Sequence, residues 1–131
     1  MSSATQRLLI WGPAIAMMAA IFLASSLPTV PHLPGDPANY TAHFGAYFVL
    51  GPLMLRGFAQ AHWAHVGAST AVRAWFASAL YGMTDELHQR WVPGRYPAVD
   101  DWLADATGAA AGVMLIVIAS RLRARPRDRD V

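Results

Sequence analysis

The 131-residue chain contains no cysteine and no lysine. The first absence excludes disulfides and thiolate metal sites. The second leaves arginine as every one of the ten basic side chains; together with the abundant alanine it reads as a genomic composition bias without functional meaning. Charge of any kind is scarce. Charged residues make up 14% of the chain and hydrophobic residues 55%, whereas a soluble domain carries roughly 25% charge. That balance points to a membrane, and the length to one domain, 1–131. The basic pI of about 9.5 comes largely from the C-terminal tail, which suits an anionic cytoplasmic membrane face. No stacking platform, nucleic-acid signature or basic helical stripe is present, so no nucleic-acid partner is expected.

Apolar runs predict four spans, at about 8–27, 43–60, 68–89 and 102–120, followed by a cytoplasmic tail over 121–131. Leu8 to Leu27 carries no charge. As a helix it reaches about 30 Å, the thickness of the hydrocarbon core, and it exceeds the roughly 7–15 apolar residues of a signal peptide, its rival reading. Pro13 is expected near the first or second turn, where its missing N–H costs little. The prolines of Pro28–Thr41 exclude regular helix from that loop. Gly51-Pro52 predicts a kink in the second span, and Arg56 is expected to snorkel to the far interface. The third span must place Arg73 at one interface and carry Asp85 and Glu86 in its last turns. Trp102 suits an interface. Gly108 and Gly112 form a small-residue face for packing within the chain, with a homodimer as the alternative.

The fold class is therefore all-α, an integral membrane four-helix bundle. An even number of spans puts both termini on one side. That side holds Arg7, Arg56, Arg73 and the five tail arginines, and the other holds Arg90 and Arg95, so positive-inside makes both termini cytoplasmic.

This orientation puts Tyr81–Asp105 at the outer face, where charge concentrates. His43 and Tyr47, then Tyr81, Asp85 and Gln89, then Asp101 and Asp105 recur four apart on three successive spans. Residues at that spacing share a helix face, and carboxylates facing lipid are costly. The three stripes should turn toward one another and form an outward-opening pocket. Arg95, after the Pro93-Gly94 turn, is placed to close it, either covering carboxylates or gripping an anionic group. Adjacent helical residues point about 100° apart, so Asp85 is assigned to the pocket and Glu86 either to it or to an ion pair with Arg90. Asp100 reads as a loop charge or helix cap, and His88 as an interface residue.

The ligand-binding candidates are thus His43, Tyr47, Tyr81, Asp85, Glu86, Gln89, Arg95, Asp101 and Asp105. If the protein is an enzyme, Asp85 and Glu86 are the acid–base candidates. His43, Asp85, Glu86, Asp101 and Asp105 could supply a mixed nitrogen and oxygen set for Mg or Mn, or with His43 for Zn. No recognised ligand spacing is present, so no metal or other cofactor is assigned. Nucleophilic catalysis has no cysteine to use and no serine in the polar cluster.

The combination of His43 and Tyr47, the segment Tyr81–Gln89 with Asp85 and Glu86, the turn Pro93-Gly94-Arg95, then Asp101, Gly108 and Gly112 resembles the VanZ-like family of small bacterial membrane proteins. The resemblance spans about residues 39–112. It departs at Asn39 and Tyr40, where the family commonly has Asp-Lys, and at Asp105, where it commonly has Asn. It implies a multi-pass protein of the bacterial inner membrane with a role in the cell envelope; the founding member is linked to resistance to teicoplanin. The resulting expectation is a pocket binding an anionic envelope component such as a lipid-linked precursor. The alternatives are an enzyme acting on a lipid head group, or a small proton-coupled transporter.

Overall fold

The computed structural model describes residues 2–28 and 36–124. Four long helices dominate: α1 (Ser3–Ser25), α2 (Pro37–Phe58), α3 (Ala68–Gln89) and α4 (Val99–Ala124), with a short 3-10 turn over Trp63–His65. The third agrees with its sequence bounds, and the others start earlier than hydropathy suggests. Local capping explains two of these starts. Ser2 Oγ accepts from the Thr5 N–H at 3.2 Å and opens α1. Asp36 accepts from the Ala38 N–H at 2.9 Å and opens α2. Pro37 occupies the first helical position, where its missing N–H would have had no partner; the exclusion of helix up to Thr41 is corrected accordingly. Residues 29–35 of that loop, and Arg125, Arg127 and Arg129 of the expected tail, lie outside the described residues.

The polarity of the bundle is inverted relative to a water-soluble protein. Asp85, Glu86, Gln89, Asp101 and Asp105 are buried, while Leu8, Leu23, Phe76, Leu87, Leu115 and Ile118 are exposed. In water this arrangement would leave long apolar stripes uncovered; in lipid it removes charge from the hydrocarbon. By length and composition, α1 and α4 can each cross a membrane.

The most extensive contact joins α2 to α4, and glycine makes it close. A Cβ on Gly51 would lie 2.6 Å from the Ala109 carbonyl oxygen, and Gly108 and Gly112 pack on the carbonyls of Phe44 and Phe48. Pro52 offers no N–H to the Phe48 carbonyl, and Gly112 covers both that oxygen and the proline ring. The Gly108–Gly112 face is therefore occupied within the chain.

Helix α1 is held differently. Pro13 falls in mid-helix, so the sequence-based placement near the first or second turn is corrected. It deprives the Leu9 carbonyl of its intrahelical donor. Arg56 supplies the replacement: its Nη1 donates to Leu9 O at 2.9 Å and to Ile10 O. Arg56, expected to reach the far interface, bonds carbonyls in the N-terminal half of α1. Trp11 packs over Gly57 and edge-on to Phe58 at the same end.

Candidate functional site

The opposite end of the bundle collects the polar side chains. Asp85 and Glu86 are neighbours on α3, so they point in different directions, and each finds a helix to face. Asp85 turns to α1, where Ser25 Oγ donates to its Oδ1 at 2.6 Å, and Gln89 Nε2, one turn on, donates to its Oδ2 at 3.3 Å. Glu86 turns to α2 and α4. Its Oε2 accepts from the Ala98 N–H at 2.9 Å, and its Oε1 lies 3.9 Å from His43 Nδ1. Among the described residues no ion pair joins Glu86 to Arg90; the backbone N–H just before α4 takes the carboxylate instead.

His43 is the junction. Its Nδ1 lies 2.9 Å from Asp105 Oδ1. Asp105 has no exposed side-chain surface and fits because α3 presents Gly82 there: an added Cβ would lie 2.7 Å from Asp105 Oδ2. One turn before Asp105, Asp101 Oδ2 accepts from Asn39 Nδ2 at 2.6 Å. One turn after His43, Tyr47 is 1% exposed, with its ring centroid 6.4 Å from that of Tyr81. Tyr81 donates to the Met18 carbonyl at 2.6 Å. Among the described residues three buried side-chain oxygens have no hydrogen-bond partner: Tyr47 OH, Glu86 Oε1 and Asp105 Oδ2. His43, Glu86 and Asp105 each offer a ligand atom, all within 4.8 Å of one another, and could hold a metal ion.

Among the described residues Arg95 forms no ion pair with a carboxylate. Its Nη2 donates to Ala24 O at 3.1 Å and its Nε to Leu27 O at 3.4 Å. These carbonyls end α1, and a cation there is favoured by the helix dipole. Arg95 nevertheless lines a groove of about 260 Å³ together with Asn39, His43, Tyr47, Asp85 and Gln89. Its other wall is the apolar flank of α1, including Met17, Ala20 and Ile21. The polar groups sit at the Ser25 end of this groove and the apolar ones further back along α1, following the antiparallel run of α1 and α2. The opposite end of the molecule has a second groove, between Arg56, His62, Trp63 and Ile116.

The nine sequence candidates therefore gather at one end but in two compartments. Asp85, Gln89 and Arg95 belong to the groove, Glu86, Asp101 and Asp105 to the interior between α2, α3 and α4, and His43 and Tyr47 adjoin both. Tyr81 ties α3 to α1. His88 stands apart, with Ser26 Oγ at 3.0 Å and Phe22 tilted over its ring. Two participants were missed. Ser25 was overlooked because no serine lies within Tyr81–Asp105, yet α1 delivers one into the cluster. A helical stripe signals it: Ala14, Met18, Ile21 and Ser25 recur at helical spacing, and all but Met18 are fully buried. Asn39 looked like a lost charge, and its amide instead satisfies Asp101.

The open groove thus joins an apolar wall to polar groups, and the interior cluster joins one imidazole to two carboxylates. No curated protein and no solved structure matches the sequence detectably. A family model does: residues 10–120 match the one described as VanZ/LLP1. That match extends the resemblance, which spanned about residues 39–112, across most of α1 and along α4 to residue 120. The chain belongs to the VanZ/LLP1 family.

Proposed function

We propose that this protein is a multi-pass membrane protein with both termini cytoplasmic, and that it binds one anionic, lipid-linked component of the cell envelope in the groove between α1, α2 and α3. The carrying observation is the groove's axial division. Met17, Ala20 and Ile21 line its deeper part, while Arg95, Asn39 and His43 stand at the outer end. A single acyl or prenyl chain fits such a slot, with its charged head beside the guanidinium. Two Arg95 nitrogens already serve the end of α1, which holds the guanidinium in place; its remaining N–H groups are free to meet a phosphate. The cell-envelope role that the family resemblance implies, and the founding member's link to teicoplanin resistance, agree with an outer-leaflet ligand.

The test is co-purification and titration of a polyprenyl phosphate in nanodiscs, followed by native mass spectrometry. Ala20→Phe should fill the apolar part of the groove and lower retention at least tenfold. Arg95→Lys should weaken binding of the phosphate but not of the uncharged polyprenol. Unchanged retention in both variants would reject the reading.

A further inference from the structure

The interior cluster holds more oxygen than its neighbours satisfy. Glu86 leaves Oε1 without a hydrogen bond, although its side chain is 9% exposed, and Asp105 leaves Oδ2 without one at no exposure at all. The Tyr47 hydroxyl, one turn along α2 from His43, is a third orphan at 1% exposure. Each such buried atom destabilises the fold if nothing meets it. Among the described residues no arginine enters to neutralise them: Arg95 is engaged with α1 and Arg90 is exposed. Asp101 adds a further carboxylate on the next turn of α4, although Asn39 holds it.

We propose that His43 Nδ1, Glu86 Oε1 and a carboxylate oxygen of Asp105 bind one first-row divalent cation, Mn²⁺ or Zn²⁺. The spacing suits it. Metal–ligand bonds of about 2.1 Å set neighbouring ligand atoms roughly 3.0–3.4 Å apart. The His43–Asp105 separation of 2.9 Å is already close to such an edge, and Glu86 Oε1, 3.9 Å from His43 Nδ1, must close by roughly 0.5 Å or more. An imidazole with two carboxylates suits Mn²⁺ or Zn²⁺ better than Ca²⁺ or Mg²⁺, which favour oxygen alone. Three protein ligands leave at least one coordination position open. The ligands come from α2, α3 and α4, and Ala98 N holds the second Glu86 oxygen at 2.9 Å, the kind of support that orients a metal-binding carboxylate. The inference does not depend on what the groove holds.

The test uses the purified full chain, stripped with chelator and titrated with Mn²⁺ followed by electron paramagnetic resonance, then with Zn²⁺ by calorimetry. The expected result is one ion per chain, with affinity at least tenfold lower in Glu86→Gln and in His43→Gln. His88→Gln, whose ring bonds Ser26 instead, should bind like the parent. Helical circular dichroism and a single gel-filtration peak establish that each variant is folded. Folded parent protein that takes up no ion overturns the proposal and leaves water as the partner of the orphaned oxygens. Equal uptake by parent, Glu86→Gln and His43→Gln overturns it as well.

Discussion

Substituting Gly82 by Ala tests how tightly the buried acid is seated. An added Cβ at Gly82 would lie 2.7 Å from Asp105 Oδ2, 3.0 Å from its Cβ and 3.2 Å from its Cγ. Asp105 has no exposed side-chain surface and is held by His43 at 2.9 Å, so it cannot swing away. Overpacking of this kind costs about 1–3 kcal/mol, and the upper half of that range applies where the neighbour has no free rotamer. Alanine recovers about 0.8–1 kcal/mol of helix propensity. Gly82→Ala should therefore lose roughly 1–2 kcal/mol of stability. Replacing Asp105 by Ala removes the two atoms of its carboxyl group that crowd the new methyl, and leaves a Cβ at 3.0 Å that a small shift accommodates. In that background the propensity gain should prevail, and Gly82→Ala should be neutral or slightly stabilising. The assay is equilibrium unfolding in mixed micelles followed by far-UV circular dichroism on the four proteins of the cycle. A Gly82→Ala effect that agrees in both backgrounds to within about 0.5 kcal/mol, the limit for independent sites, would refute the close seating of Asp105 on Gly82.

Three further outcomes are expected. Arg56→Met should cost about 1.5–3 kcal/mol, the range for a hydrogen bond to a charged group. It should cost less in a Pro13→Ala background, where residue 13 again donates to Leu9; a double-mutant cycle in micelles reads the coupling. Ser25→Ala should destabilise by about 1–3 kcal/mol, because it leaves Asp85 Oδ1 buried without its 2.6 Å donor, whereas Ser26→Ala should change stability by less than half of that in the same assay. The chain has no cysteine, so single cysteines report topology cleanly. Tyr96→Cys should react with a membrane-impermeant maleimide in intact cells, and Gln60→Cys only after permeabilisation; the reverse pattern would invert the proposed orientation.

The helices were legible in the sequence because long apolar runs and short polar loops leave few alternatives. The α3 bounds came out as expected, since charge brackets that run at Arg73 and at Asp85–Gln89. The early starts of α1 and α2 were not legible from hydropathy, because they depend on single capping residues, Ser2 and Asp36, within otherwise polar segments. At the site, fourfold spacing correctly put His43 with Tyr47 and Asp101 with Asp105 on shared faces. It could not reveal which helix each face meets. The destination of Asp85 depends on where α1 lies, and that of Arg56 on a carbonyl freed by a proline more than forty residues earlier in the chain. A metal-ligand motif would likewise escape a linear search, because His43, Glu86 and Asp105 stand on three different helices.

Helix α1 is fastened by side-chain bonds at both ends, Arg56 to Leu9 O at one and Ser25, Tyr81 and Arg95 at the other, with the groove opening between them. Lipid tails compete on equal terms for its apolar surface, so apolar contact alone gives little drive for docking in a membrane. Directional bonds therefore decide where α1 sits. They set its rotation and its height together, as two pins fix a hinge leaf, and a helix in that position can lean without sliding. Helix α1 is thus seated by partners that follow it in the chain, and Ser25 reaches Asp85 only when α3 is in place.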